Sequence, residues 1–148
     1  MAKQSFVRLN TDGSVDASFD VPIIDTANNT VNTVSSLKVL NDGKILAIIN
    51  NRLIRLNSDG TVDASFTSPS SSVREFRLMP DGRFYALLGS THKRYFSDGV
   101  IDPSFQSVTT SSSYGNDFKI DLLSDGRIIL AGSFSSVNNM SINKLARI

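Results

Sequence analysis

The sequence predicts an all-β chain assembled from repeated hairpins, and three observations predict it. A twelve-residue segment recurs: RLNTDGSVDASF at 8–19, RLNSDGTVDASF at 55–66 and RYFSDGVIDPSF at 94–105. A second segment alternates with it: VLNDGKILAI at 39–48, LMPDGRFYAL at 78–87 and LLSDGRIILA at 122–131. No stretch carries a sustained helical period.

Each segment is centred on Asp-Gly, at Gly13, Gly43, Gly60, Gly82, Gly99 and Gly126. Asp-Gly between apolar runs is a strong hairpin signal, because the turn needs a positive φ that Gly adopts freely and Asp tolerates better than most. The flanks agree: Lys44–Ile49 and Arg127–Ala131 are short, apolar and bounded by turns, as strands covered on both faces should be.

In chain order the elements follow a four-strand cycle, A to D. In the clearest copy, A runs over about 73–79 and turns through Asp81-Gly82 into B at about 83–88. A loop leads to C at about 92–96, which turns through Asp98-Gly99 into D at about 100–105. The chain opens on a partial unit holding C and D (about 5–19) and continues through complete units at about 20–66 and 67–105. It finishes on a partial unit, 106–148, holding A, B and C.

The C–D glycines fall 47 and then 39 residues apart, a period typical of propeller blades. A blade is a small antiparallel sheet that must stack on neighbours to bury both faces. The expected fold is therefore one domain, 1–148, of three diverged four-stranded β-propeller-like blades, with both termini cut inside a blade. Three blades are fewer than a ring holds, so the expectation includes a homo-oligomer in which other copies complete the assembly.

Composition narrows the function. The 148 residues are 40% hydrophobic and 20% charged, with a formal net charge of +1. No basic run supplies an electrostatic footprint for nucleic acid, and no segment reads as a membrane-facing helix or a bilayer span. Cysteine is absent, which excludes disulfides and thiolate metal sites. Met1-Ala2-Lys3-Gln4-Ser5 leads into a strand without a signal-peptide core, so synthesis in the cytosol without export is expected.

The pattern R-L-N-x-D-G-[ST]-V-D-x-S-F, preceded by D-G-[KR]-I-L, resembles the delta-60 repeat of bacterial surface and phage proteins, a β-propeller-type repeat. The resemblance spans nearly the whole chain. It implies architecture and carries no catalytic residue. The third copy departs from it, with Tyr95-Phe96 in place of Leu-Asn and Val100-Ile101 in place of Ser/Thr-Val, which points to a differently shaped blade or a contact.

No residue pattern supports catalysis. Of thirteen Asp, six precede turn glycines and three more, Asp16, Asp63 and Asp102, sit in the D-x-S-F ends. Local capping of backbone N–H groups explains them. A calcium reading of Asn10-x-Asp12-Gly13-x-x-Asp16 fails because calcium wants six to eight oxygens. His92 is the only histidine and is expected exposed in the Gly89-Ser90-Thr91-His92 loop, without a partner to tune it. Glu75 is the only Glu, and no G-x-S-x-G elbow or phosphate-cradling loop occurs. No metal, cofactor or enzymatic activity is expected. The recurring Phe19, Phe66 and Phe105 read as blade-to-blade core.

All six Asp-Gly turns fall on one rim of such a fold, leaving the irregular segments on the other. Asp20–Ser36, Thr67–Ser72 and Gln106–Asn116 join D to A, and Gly132–Asn143 joins B to C. These Ser-, Thr- and Asn-rich loops are where recognition is expected, with Ile23, Ile24, Asn28, Asn29, His92, Tyr114, Asn138 and Met140 as the candidate contact residues. The expected function is a structural or assembly protein working through protein–protein contacts, a phage virion component such as a capsid decoration or a tail, baseplate or fibre piece. Its partners would be itself and other structural proteins of a larger particle. The alternative is a carbohydrate- or surface-binding module at an extracellular surface.

Overall fold

The fold is taken from a computed structural model, which describes residues 6–22, 33–112, 119–142 and 144–148. All six Asp-Gly corners share one geometry. Gly13 N donates to Asn10 O at 3.0 Å, and Asn10 N donates to Ser14 O at 2.8 Å. The same two bonds close 40–44, 57–61, 79–83, 96–100 and 123–127. The glycine alone takes a left-handed φ, between 82° and 93° at the six sites. This is a three-residue loop with a glycine bulge rather than a two-residue turn, so the aspartate does not take a positive φ and serves as the expected backbone cap. Its Oδ1 accepts the N–H two residues on, at 2.9 to 3.1 Å, from Ser14, Lys44, Thr61, Arg83, Val100 and Arg127.

The expected fourth strand is not a strand. Segment D contributes a single bridge in each copy, Leu9↔Val15, Leu56↔Val62 and Tyr95↔Ile101. One residue later the chain turns, with Phe19 N donating to Asp16 O, Phe66 N to Asp63 O and Phe105 N to Asp102 O. The aspartate turn ends pairing before a ladder can form.

The chain divides into two compact units, Met1–Ser70 and Ser71–Ile148. The first holds β1 (Val34–Val39), β2 (Ile45–Ile49) and β3 (Arg52–Leu56), antiparallel in the order β1-β2-β3. Asn50 and Asn51 both take left-handed φ, 50° and 61°, in the two-residue turn between β2 and β3. Alternation along the strands sets two faces. The face carrying Ile45, Ala47, Ile49, Ile54 and Leu56, here the front, is packed by Phe6, Phe19 and Val21 of the opening segment.

The second unit holds β4 (Val73–Leu78), β5 (Phe84–Leu88), β6 (Thr91–Tyr95), β7 (Val108–Ser112), β8 (Lys119–Leu122), β9 (Ile128–Ala131), β10 (Phe134–Val137), β11 (Met140–Ser141) and β12 (Leu145–Arg147). They form a six-stranded sheet, β4-β5-β6-β7-β10-β11, and a three-stranded one, β8-β9-β12. Tyr85 and Leu87 of the first sheet pack on Ile128, Leu130 and Ala146 of the second. Register equates Tyr85 and Leu87 with Leu46 and Ile48, and Ile128 and Leu130 with Ile45 and Ala47. Within this unit, therefore, the back of one sheet covers the front of the next.

Two segments expected as irregular connections hold whole strands. Gln106–Asn116 contains β7, and Gly132–Asn143 contains β10 and β11. Because segment D leaves β6 after one bridge, β7 takes part of the vacated edge, pairing Thr109 with Thr91 and Val108 with His92. β10 then pairs with β7, and a tight turn at Asn138-Asn139 (φ 48° and 65°) returns the chain as β11. The described residues contain no helix, and thus none long and apolar enough to cross a membrane.

Candidate functional site

The twelve-residue signature folds into one side-chain clip, built three times. Arg8 Nε donates to Asp16 Oδ2 at 2.8 Å, Arg55 Nε to Asp63 at 2.7 Å and Arg94 Nε to Asp102 at 2.7 Å. The other carboxylate oxygen accepts both the N–H and the hydroxyl of the serine two residues on, Ser18, Ser65 or Ser104. The same serine hydroxyl accepts from the arginine at 2.9 to 3.3 Å. The guanidinium then lies over the closing phenylalanine, 4.8 Å from the Phe19 ring centre and 5.1 Å from those of Phe66 and Phe105.

A second cation joins two of the clips. Lys44 Nζ donates to Asp63 Oδ2 at 2.8 Å, and Arg83 Nη1 to Asp102 Oδ2 at 3.3 Å, each from the residue after an A–B turn glycine. The capping expected of Asp16, Asp63 and Asp102 is thus half of their role. The arginines were the missed partners, although R, D, S and F recur at fixed offsets in all three copies, which is the signal that would have found them.

These bonds hold the carboxylates ionised. Lys44 and the Ser65 hydroxyl keep Asp63 well below the usual carboxylate range, and the Ser104 hydroxyl and Arg94 do the same for Asp102. Ser18 and Arg8 lower Asp16, Ser14 lowers Asp12 and Thr61 lowers Asp59. Arg83 lowers Asp81, and Arg127 lowers Asp125 to about 2. None of these acids is a proton donor near neutrality. Among the described residues no group of three or more His, Cys, Asp or Glu could hold a metal ion.

His92 corrects an expectation. The β5–β6 turn uses only Gly89 and Ser90, so His92 is not in a loop; it lies inside β6, between Leu87 of β5 and Val108 of β7. It is fully buried, and desolvation lowers its pKa to about 4. Its Nε2 lies 3.5 Å from the Thr110 hydroxyl. It therefore cannot form part of a contact surface.

Of the other candidate contact residues, Ile23, Ile24, Asn28, Asn29 and Tyr114 lie outside the described residues. Asn138 and Met140 come together at the β10–β11 hairpin. Asn138 spends its side chain on structure, accepting the Thr109 N–H at 2.9 Å, as Asn50 accepts that of Thr33 at 2.8 Å in the first unit. Met140 is exposed. Beside them Ser111, Ser136 and Ser141 lie in one cross-strand row, with Ser111 Oγ 2.6 Å from Ser136 Oγ and 3.2 Å from Ser135 Oγ.

The third copy presents a separate surface. In the first two copies the strands beyond the turn are joined by a polar pair, Asn10 Nδ2 to Ser14 Oγ and Asn57 Nδ2 to Thr61 Oγ1, both at 2.9 Å. Phe96 and Val100 replace that pair and stand exposed with Ile101. The clip beneath keeps its bonds, so the substitutions leave its local geometry unchanged.

A family model described as a domain of unknown function (DUF5122), beta-propeller, matches residues 5–19, 49–66 and 123–148. Those matches fall on the first two clips and on the β9–β12 region, which supports a propeller-type repeat for this all-β chain. No curated protein matches the chain. Among solved structures, a protein of unknown function from Bacteroides caccae matches with a TM-score of 0.49 and 17% identity, over 95% of this chain and 52% of that one. The chain thus spans about half the length of that protein.

Proposed function

We propose that the protein is a non-enzymatic assembly protein of the delta-60 repeat type, built of blade-like repeats and acting through protein–protein contacts. Its setting is a phage virion, as a capsid decoration or a tail, baseplate or fibre piece, assembled after synthesis in the cytosol. The observation that carries this reading is the exposed apolar corner of Phe96, Val100 and Ile101 on an unaltered clip. Where the other two copies place a hydrogen-bonded polar pair, this one places side chains that favour burial against a protein. The charged residues support the reading from the other side, because the clip Arg and Asp groups are engaged with one another inside the repeats. The test is mass spectrometry of purified particles: recovery at stoichiometric level supports the reading, and absence from particles overturns it.

A second reading, a glycan-binding module at an extracellular surface, rests on the hydroxyl row Ser111–Ser136–Ser141 beside exposed Met140. Saturable sugar binding by the isolated protein, abolished by Ser136→Leu, supports it; a blank glycan array removes it.

A further inference from the structure

Among the described residues there are three A–B pairs (β1-β2, β4-β5 and β8-β9) and four C segments (6–9, β3, β6 and β12), and three features converge on the surplus one. β12 pairs Leu145, Ala146 and Arg147 with Ala131, Leu130 and Ile129, as β3 pairs Leu53, Ile54 and Arg55 with Ile48, Ala47 and Leu46. By the repeat, Phe6-Val7-Arg8-Leu9 is the same strand again, and among the described residues its ladder contact is the bridge Leu9↔Val15.

The first feature is apolar. Val7 and Leu9 are 55% and 60% exposed, whereas Ile54 and Leu56 at the same positions are 5% and 0%. The second lies one layer on. Leu37 and Val39 of β1 are 47% and 64% exposed, although Phe76 and Ile120, the register equivalents of Leu37, are buried. Phe6, Phe19 and Val21 pack against the β2 and β3 part of this front, and Leu37 and Val39 lie outside that cluster. The third feature is ionic. Lys44 and Arg83 each reach an aspartate nineteen residues on, so that Asp63 and Asp102 hold two cations. Arg127 occupies the same place after its turn and pairs with Asp125 of that turn, as Arg83 pairs with Asp81; among the described residues it reaches no second aspartate and Asp16 holds one cation, Arg8.

We propose that two copies of the chain exchange this strand, residues 6–19 of each taking the place of β12 beside β9 of the other. Resting on the assembly reading above, the exchange names its partner and its surface. It sets Val7 opposite Leu130, in the core position that Ala146 occupies. It lays the back of β9, Ile129 and Ala131, over Leu37 and Val39 of the other copy. It brings Arg127 to Asp16, completing a two-cation clip of the kind at Asp63 and Asp102. All three features are met by one reciprocal move in which each copy uses the same surface, as a closed two-fold dimer requires.

The test uses the absence of native cysteine. Phe6→Cys and Ala131→Cys are made in separate chains, mixed and oxidised; the exchange places these residues opposite one another and yields a covalent dimer of the two variants. Failure to cross-link, with Ala131→Cys/Leu145→Cys closing efficiently within one chain, overturns it. In sedimentation, Val7→Asp weakens dimerisation by about a hundredfold or more and Arg127→Glu by about fivefold. Arg147→Glu, in the displaced strand, leaves it unchanged; equal weakening by Arg147→Glu overturns the exchange. A wild-type dimer that fails these tests removes the exchange alone, whereas absence from particles removes the assembly reading.

Discussion

Residues 8–19 and 55–66 are nearly the same peptide in two surroundings. They differ only at Thr11/Ser58 and Ser14/Thr61, and they make the same turn, clip and stacking bonds. Yet Leu9 is exposed where Leu56 is fully buried, and Asp16 holds one cation where Asp63 holds two. The difference teaches that the peptide encodes its own corner, while its stability comes from what is laid beside it. Four experiments break or sharpen that contrast.

The largest effect is expected from the paired leucines. Leu56→Ala removes a fully buried side chain and should cost about 3 kcal/mol, whereas Leu9→Ala in dilute protein should cost less than about 1. Urea denaturation at matched concentration checks both. Equal losses would mean that Leu9 is already covered in solution.

The carboxylates come next. Asp63→Ala leaves Arg55 and Lys44 without their shared acceptor in a largely buried site, a loss of about 3 kcal/mol. Asp16→Ala should have a clearly smaller effect, because Arg8 is well exposed. Both aspartates have lowered pKa values in the folded state, so their contribution is present above the ordinary carboxylate pKa of 3.8 and fades as pH falls below it. Titration from neutrality to about pH 5 should therefore leave both clips intact.

The contrast also marks what the sequence could and could not tell. The Asp-Gly corners and strands β2, β5 and β9 were legible because a few adjacent residues fix them: a glycine that accepts positive φ, an aspartate that bonds two residues on, an apolar run. β7, β10 and β11 were not legible. Ser111, Ser135 and Ser136 have no strong strand preference, and they pair because the D segment leaves an edge open, a fact that depends on residues far away in sequence. His92 was misplaced for a related reason. Gly89-Ser90-Thr91-His92 reads as a loop until the turn is seen to need only two residues.

That histidine supplies the third experiment, since it occupies the position of Phe6 and Leu53 in the third copy. Its folded pKa is lowered to about 4 from 6.5, so the unfolded chain binds the extra proton between those values. Stability should fall as pH drops from 7 towards 4, with a loss of about 2 kcal/mol by pH 5. His92→Leu restores the side chain of the second copy and should flatten that part of the profile. A wild-type curve already flat between pH 7 and 5 would contradict the burial.

The smallest effect separates the two corners themselves. Gly13 and Gly60 hold nearly the same φ, +84° and +93°, so alanine at either must enter the left-handed region, a strain of about 1 kcal/mol. Their surroundings differ. A Cβ on Gly13 would meet nothing within 4 Å, whereas one on Gly60 would lie 2.7 Å from the Asp20 carbonyl oxygen. That oxygen belongs to backbone held in place, since Asp20 N donates to Asp59 O at 3.0 Å, and it cannot withdraw without breaking the join between the two copies. Gly60→Ala should therefore exceed Gly13→Ala by about 1 kcal/mol or more, read as separate denaturation midpoints with equal slopes. If the two variants unfold together, the copies are not joined at that corner, and the second peptide owes its added stability to its leucine and its second cation alone.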